Sequence, residues 1–409
     1  MSGPLAGVRV VDLTSVVFGP LATQILGDLG ADVIKVAGPE GDTTRYTGPA
    51  RSPDMAALFM GLNRNKRSVV LDLKQQAAKE ALWKLVDGAD VFIHSMRPDK
   101  IAALGFSPEN VLARNPRIVF GGLHGYLSEG RYAGRPAYDD VIQGQSGVAS
   151  LMSGVIGEPR YVPLIIADKT CALAAANAIT AALFARERTG RGQFVEVPML
   201  ETMVFFVFVE HLYGRTFDPP EAPLGYTRLL APWRKPYRTS DGYICMLAYT
   251  DPQWKKFWHE IGRPELNDDP RFCNLAARSR NIDDVYKLAG ESLHGRTTEE
   301  WLLALEKLDI PSARIATLDE VFDDPHLADV GLFQKAQHPT EGAIVMTQLP
   351  LRFSDTKVGI GRMQPKFGQH SRDILHEAGL TESEMTAMFA TGAARDGTIV
   401  KSIKNGPTT

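Results

Sequence analysis

The chain has 409 residues, 44% hydrophobic and 23% charged, with 37 Gly and 26 Pro. At ~150 residues per domain the length implies two or three domains, and the composition excludes a disordered, collagenous or coiled-coil chain. Lys and Arg number 45 against 48 Asp and Glu, a net charge of −3, which lacks the basic excess of nonspecific nucleic-acid or anionic-membrane binders. The longest unbroken apolar run, Met203–Val209, is far short of the ~20 residues of a membrane span. The opening MSGPLAGVRVVDL has no basic n-region and no long h-region, so no secretory signal is visible. Cys171, Cys245 and Cys273 are odd in number and far apart, which fits neither a disulfide framework nor a metal knuckle. The expectation is a soluble cytoplasmic protein that engages neither nucleic acid nor membrane.

A strand-then-helix rhythm fills the first 200 residues. Val8–Leu13 reads as a strand, and Gly19-Pro20 opens a helix carrying Leu21, Ile25, Leu26 and Leu29, with Gly30 as its stop. Further strands are expected at Asp32–Val36, Ser68–Leu73, Asp90–Ile93 and Ile118–Leu123. Between them come a helix over Gln76–Val86 and a shorter one capped by Ser107, with Pro108 in its first turn. Alternation at this spacing predicts parallel pairing through crossovers, hence a doubly wound α/β layer.

Asp168–Arg188, rich in alanine and closed by Thr189-Gly190, is the clearest helix of the chain. A buried strand at Phe194–Val197 and an apolar helix over Leu200–Leu212 follow. Three prolines within Asp218–Pro223 predict a linker. Beyond it, Asp251-Pro252-Gln253 caps a helix carrying Trp254, Phe257 and Trp258, and Tyr243–Leu247 reads as a strand. Thr297 with Glu300 and Thr317 with Glu320 match capping boxes. Ala343–Phe353 reads as a strand that returns to the first sheet, and the tail after Thr391 as frayed. The organisation expected is a large α/β domain over residues 1–215, a smaller α+β domain over 225–325, and a return to the large domain over 330–409.

Several chemistries lose their usual sequence support. The turn after the first strand, Thr14–Pro20, holds no G-x-G-x-x-G, so a nicotinamide pyrophosphate has no cradle there. The chain has no phosphate loop of the G-x-x-x-x-G-K type and no G-x-S-x-G nucleophile elbow. The nine histidines show no H-E-x-x-H and no paired ligand spacing, so no metal site is expected.

Six segments in order resemble the class III CoA-transferase (CaiB/BaiF) family of formyl-CoA transferases, carnitine CoA-transferases and methylacyl-CoA racemases. They are PLAGVRVVDLTSVVFGPLATQILGDLGADVIKV at the start, LNRNKRSVVLDLK at 62–74, ADVFIHSMRPDKIAALGF at 89–106, RPAYDDVIQ at 135–143, ADKTCALAAANAITAALFARERTGRGQFVEVPML at 167–200 and IPSARIATLDEVFDDPHL at 310–327. The resemblance implies a Rossmann-like large domain built from both chain ends, a smaller inserted domain, and a homodimer of two interlocked subunits. It also implies acyl-CoA and a small carboxylic acid as substrates, with no permanently bound cofactor.

By that resemblance Asp168 is the nucleophile; by local sequence alone, an Asp ahead of a helix is an N-cap worth ~1 kcal/mol. A helix N-terminus is expected to help keep it ionised. Tyr138-Asp139 stands where the racemases carry a His-Asp pair, so the second base that racemisation needs is missing, whereas the transferases have an aromatic-acidic pair there. Tyr138 and Asp139 are therefore site candidates, and His124 in GLHGY is read as an ordinary loop or core histidine. The resemblance further places Leu71, Lys74, Ser95, Met96 and Arg97 at the nucleotide end of CoA, and Val16 and Val17 near the pantetheine or thioester. Arg97 suits bidentate phosphate contact, and Lys74 acts as a point charge.

Departures from the formyl-CoA transferases favour a larger acyl group. Val17 replaces their glutamine, Ala103 their arginine and Ala37-Gly38 a charged residue, and their glycine-run loop is absent from 224–240. Arg228, Arg234 and Lys235 are candidates for the second charge of a dicarboxylate. A methylacyl-CoA racemase and a CoA-binding subunit without catalysis are the competing readings.

Overall fold

The structure, a computed structural model, describes residues 3–397. By its contacts the chain forms two compact units. The larger comprises the residues through Ser146, Pro163–Phe205 and the residues from Ala328 on, and the smaller Gly147–Val162 and Phe206–Leu327.

In the larger unit the β-branched runs form β1 (Arg9–Leu13), β2 (Asp32–Ala37), β3 (Lys66–Leu71), β4 (Val91–His94), β5 (Val119–His124) and β6 (Gln193–Pro198). These pair in parallel in the spatial order 3-2-1-4-5-6. The order reverses between β1 and β4, and in an open α/β sheet the crevice beyond the strand carboxyl ends at such a point takes the ligand. Strands β1 to β5 are buried almost throughout, as parallel strands covered on both faces must be. The strand expected to be buried at Phe194–Val197 is half-exposed. As β6 it forms the edge of the sheet, with no strand paired to its outer side among the described residues.

Helix α1 (Phe18–Asp28) follows β1 and packs on the long Ala-rich helix Ile166–Thr189. Gly121 lets that helix approach the sheet: a Cβ there would lie 2.9 Å from Ile93 and 3.1 Å from Ile179. The long helix ends on left-handed Gly190, as the Thr-Gly pair predicts. It begins at Ile166, with Ile165 in the cap position, so Asp168 stands inside the first turn and is not the N-cap.

The expected return of Ala343–Phe353 to the first sheet does not occur. Gly342–Thr347 instead turns back on Phe333–His338 as a separate antiparallel hairpin, which left-handed Gly342 permits at the turn. The chain rejoins the large sheet through Ala394–Arg395, antiparallel on β3. Ile374, Leu375, Met385 and Met388 enter the same core as Leu82, Phe92 and Phe106, so both chain ends build this unit. Residues just past Thr391 are thus ordered by pairing, and those from 398 on lie outside the described residues.

The smaller unit has its own core around Trp254, Phe257, Trp258, Phe272, Tyr286 and Trp301. Three short antiparallel strands, Tyr237–Arg238, Tyr243–Met246 and Ser312–Arg314, cover one side. Both predicted capping boxes form. A third forms between Thr250 and Gln253, so the cap expected at Asp251 lies one residue earlier. The proline-rich stretch 218–223 runs inside this unit, where the Glu221 and Gly225 amides donate to the Gly214 and His211 carbonyls.

Charges buried in the larger unit shape the loop after β1. Asp12 and Lys66 are fully buried and paired at 3.2 Å, and Lys35 pairs with Asp42 at 2.9 Å. Asp12 also accepts from Thr14 and Thr23, and Lys35 donates to the Thr14 carbonyl at 2.9 Å. Burial alone pushes the Asp12 carboxyl up, but Lys66, Lys35 and the threonine hydroxyls outweigh it and hold it below the usual range. Burial brings Lys66 down to about 7 against the pull of Asp12. Removing one partner of such a pair leaves an uncompensated charge and costs about 3–5 kcal/mol. Lys66→Met is expected to destabilise the protein by that amount in urea unfolding, whereas Lys255→Met, at an exposed position, should change stability by less than about 0.5 kcal/mol.

Candidate active site

Beyond the carboxyl ends of β1, β4 and β5 lies a cleft of about 480 Å³. The loop after β1 contributes Ser15, Val16 and Val17, the loop after β4 contributes Ser95, Met96 and Arg97, and the long helix contributes Asp168. Val16, a β-branched residue, sits at φ +68°, a left-handed conformation that costs ~1–2 kcal/mol. Its amide donates to Asp42 at 3.3 Å, and the Ser15 amide donates to Ser95 Oγ at 3.1 Å. The buried charges therefore hold this loop in its strained shape.

Asp168 is 8% exposed. Among the described residues no donor is recorded on its carboxylate; its own backbone amide donates to Asp139 Oδ1 at 3.0 Å. Asp139 Oδ2 in turn accepts from Gln143 Nε2 at 2.6 Å. Asp139 thus satisfies an orphan amide of the helix start from outside the helix, which is the service expected of a cap. Burial, and then the charge on Asp139, push the Asp168 carboxyl up to about 7. Burial and Asp139 thus act against the help expected from the helix start.

Asp139 stands behind Asp168 and does not line the cleft, whereas Tyr138 lines it and is 66% exposed. Gly125 makes room for this segment: a Cβ there would come within 2.4 Å of the Ala137 Cβ. Leu71 and Lys74 line a separate cavity of about 240 Å³, together with Ala37, Gly38 and Leu104; Met96 lines both cavities. The residues proposed for CoA therefore fall into two adjoining spaces. Arg228, Arg234 and Lys235 belong to the smaller unit and do not line the cleft.

Other lining residues escaped the sequence reading. Arg135 lines the cleft beside Arg97, and Arg97 donates to the Gly134 carbonyl at 3.3 Å. Its signal was present in RPAYDD, but a lone Arg reads as a surface charge. His124 also lines the cleft, with Nδ1 2.7 Å from Glu196 Oε1. Glu196 lies 72 residues further on in the chain, and no local motif announces such a pair. Cys171, one turn beyond Asp168, is buried, and its thiol is pushed up to about 12 by burial and by the Asp168 and Asp139 charges. That makes it inert as a nucleophile. Among the described residues no group of three or more His, Cys, Asp or Glu side chains gathers as metal ligands, and no helix is long and apolar enough to cross a membrane.

Comparison with known proteins supplies the rest. Residues 5–371 match the profile of CoA-transferase family III. The chain is 32% identical over 385 residues to the probable fatty acyl-CoA transferase Rv3272 of Mycobacterium tuberculosis, covering 91% of this chain and 97% of that one. A crystal structure of Rv3272 superposes with a TM-score of 0.80 at 31% identity, covering 91% of this chain and 99% of that one. The succinyl-CoA:glutarate CoA-transferase of Mus musculus is 32% identical over 380 residues, 91% of this chain and 86% of its own. A CaiB/BaiF family protein from Brucella suis superposes with a TM-score of 0.77 at 31% identity, covering 92% of this chain and all of that one. This chain belongs to CoA-transferase family III and is an enzyme of that class.

Proposed function

We propose that the protein moves CoA from an acyl-CoA to a free carboxylic acid through covalent intermediates on Asp168. The observation that carries this reading is a buried carboxylate that accepts no hydrogen bond among the described residues, set in a cleft at the topological switch point of a family III chain. Attack of Asp168 on the thioester carbonyl expels CoA thiolate and leaves a mixed anhydride. The thiolate then attacks the aspartyl carbonyl, which releases the donor acid and forms an aspartyl-CoA thioester. An acceptor carboxylate attacks that thioester, giving a second anhydride and the thiolate again. Attack of the thiolate on the acceptor's acyl carbonyl frees Asp168 and the new acyl-CoA. Each step exchanges one activated acyl bond for another.

The surroundings support these roles. Arg97 and Arg135 beside the cleft and Lys74 at the smaller cavity supply cationic charge for the phosphates of CoA. The apolar wall of Leu71, Ala37 and Leu104 suits a flat base. Met96, common to both spaces, marks the route of the pantetheine arm between them. Val16 and Val17 lie at the thioester end, and Tyr138 at the mouth offers a phenol to the entering acid. In the proposed mechanism a cleft walled against water favours attack by thiolate over hydrolysis.

Asp168→Asn tests the covalent step. Turnover should fall by at least about 10⁴-fold while the fold persists. Wild-type protein given acyl-CoA without acceptor should form a hydroxylamine-sensitive adduct on the peptide that contains Asp168. Retained turnover in the variant, or a label elsewhere, would sink the mechanism.

The raised pKa gives a signed pH dependence. Folding binds Asp168 more tightly as the neutral acid, so this contribution is complete below pH ~4 and is lost as pH rises through about 7. Asn cannot ionise. Relative to wild type, the variant should gain roughly 2–4 kcal/mol between pH 4 and pH 8 in chemical denaturation. Turnover limited by ionised Asp168 should rise through the same window.

Assembly is part of the proposal. Leu173, Phe184 and Phe205 of the larger unit are 63%, 64% and 76% exposed, and we read them as part of an interface between two copies of the chain. A homodimer covers it. Light scattering of dilute protein should report about twice the chain mass of 44.8 kDa, and an active monomer would overturn the dimer.

A further inference from the structure

The smaller unit holds a pocket of its own, about 190 Å³, walled by Tyr249, Trp254 and Tyr286 and carrying two guanidinium groups, Arg228 and Arg278. Arg228 Nε donates to the Tyr286 hydroxyl at 2.6 Å, and its guanidinium lies 4.9 Å from the Tyr249 ring centroid. The partners that act most on its charge are two phenols, Tyr286 and Tyr226. Among the described residues no carboxylate forms an ion pair with Arg228.

Arg278 is 3% exposed. It donates to the Phe272 carbonyl at 2.9 Å and pairs with Asp251, while its Nε is buried without a partner. Asp251 pairs with Arg278 and does not line the pocket, whose charged lining residues are the two arginines. A partly desolvated cation with no carboxylate paired to it attracts an anion from solution more strongly than one in open water does. Tyr249 and Leu275 are about half exposed and leave the mouth open.

We propose that this pocket binds a short-chain or small aromatic carboxylate. The planar Arg fork matches a carboxylate in two parallel hydrogen bonds. The aromatic walls accept an apolar body, and they would strip water from a phosphate without replacing it. The volume is that of about six waters at ~30 Å³ each, which limits the ligand to a small acid. This site lies outside the cleft of Asp168, and its occupancy does not depend on the transfer chemistry.

Calorimetry and tryptophan fluorescence on the full chain test it, since Trp254 is part of the wall. Benzoate and butyrate should bind saturably with Kd on the order of 1 mM. Benzamide and inorganic phosphate should bind at least about tenfold more weakly. Arg228→Gln should weaken benzoate by a similar factor with an unchanged thermal midpoint, whereas Asp168→Asn should bind benzoate as wild type does, which separates this pocket from the cleft. The proposal fails if benzoate and benzamide bind alike, if phosphate matches benzoate, if no saturable signal appears, or if folded Arg228→Gln titrates like wild type. Should Arg228→Gln not fold, the benzoate and benzamide pair on wild-type protein decides.

Discussion

Two buried ion pairs, Asp12 with Lys66 and Lys35 with Asp42, determine the geometry on which the cleft depends. They join β1, β2 and the start of β3 to the segment after β2, where a purely apolar sheet would leave the loop after β1 free to choose its path. Each charge instead ends on a backbone group of that loop or of the start of α1. Lys35 holds the Thr14 carbonyl, Asp42 holds the Val16 amide, and Lys66 holds the Pro20 carbonyl. A β-branched residue at positive φ persists only when its surroundings over-determine it, and here two strands and the segment after β2 do so. A hydrophobic replacement of the whole network could match its stability, but it would lose the hydrogen bonds that fix the loop.

The opposite electrostatic choice is made at Asp168. Asp12 is buried and surrounded by donors, so it stays ionised; Asp168 is buried beside another carboxylate, so its charge is penalised. The same residue type thereby serves structure at one point and, in the proposed mechanism, chemistry at the other. A carboxylate already wrapped in donors would be a poor nucleophile, because attack must break those bonds first. A desolvated one near pKa 7 keeps its reactivity while remaining available at neutral pH. Asp139 contributes to both sides of this balance. It anchors the first turn of the helix through the Asp168 amide and raises the Asp168 carboxyl through space.

Much of the large sheet was legible because its signals are local. Strands β1 to β5 announce themselves as β-branched runs, and the Ala-rich helix with its terminal Gly leaves little room for another reading. Errors arose where a remote partner decides. Gly342–Thr347 has the composition of a core strand, yet Gly342 turns it into a hairpin with Phe333–His338. The two-residue strand Ala394–Arg395 is too short to carry a pattern and forms only because β3 offers an edge. The edge position of β6 likewise depends on the sheet order and not on its own apolar sequence. At the candidate site, Asp168 and Tyr138 came from the ordered motifs of a family. The Glu196 partner of His124, the network under Val16 and the ionisation of Asp168 did not, since each is a property of three-dimensional neighbours.

Charge is laid out along the cleft in a way that bears on how an anionic substrate enters a site with an acidic floor. Arg97 and Arg135 line the cleft together with Asp168, while Asp139 lies behind it. In the proposed binding mode, phosphates approaching from solvent meet the two guanidiniums, where exposed pairs hold loosely and exchange readily. With the Asp168 carboxyl poised near 7, the empty floor carries less than its full formal charge at neutral pH. Repulsion of the incoming anionic donor is correspondingly reduced in the proposed cycle. Loss of that proton restores the nucleophile, and acylation then removes the charge altogether. In the proposed cycle the floor is therefore neutral while the acceptor carboxylate must come close, and anionic only when Asp168 itself attacks. Asn in place of Asp139 would remove the second charge and lower the Asp168 pKa, while burial would still hold it above the usual range. The pair of acids, and not the nucleophile alone, is the unit that sets this sequence.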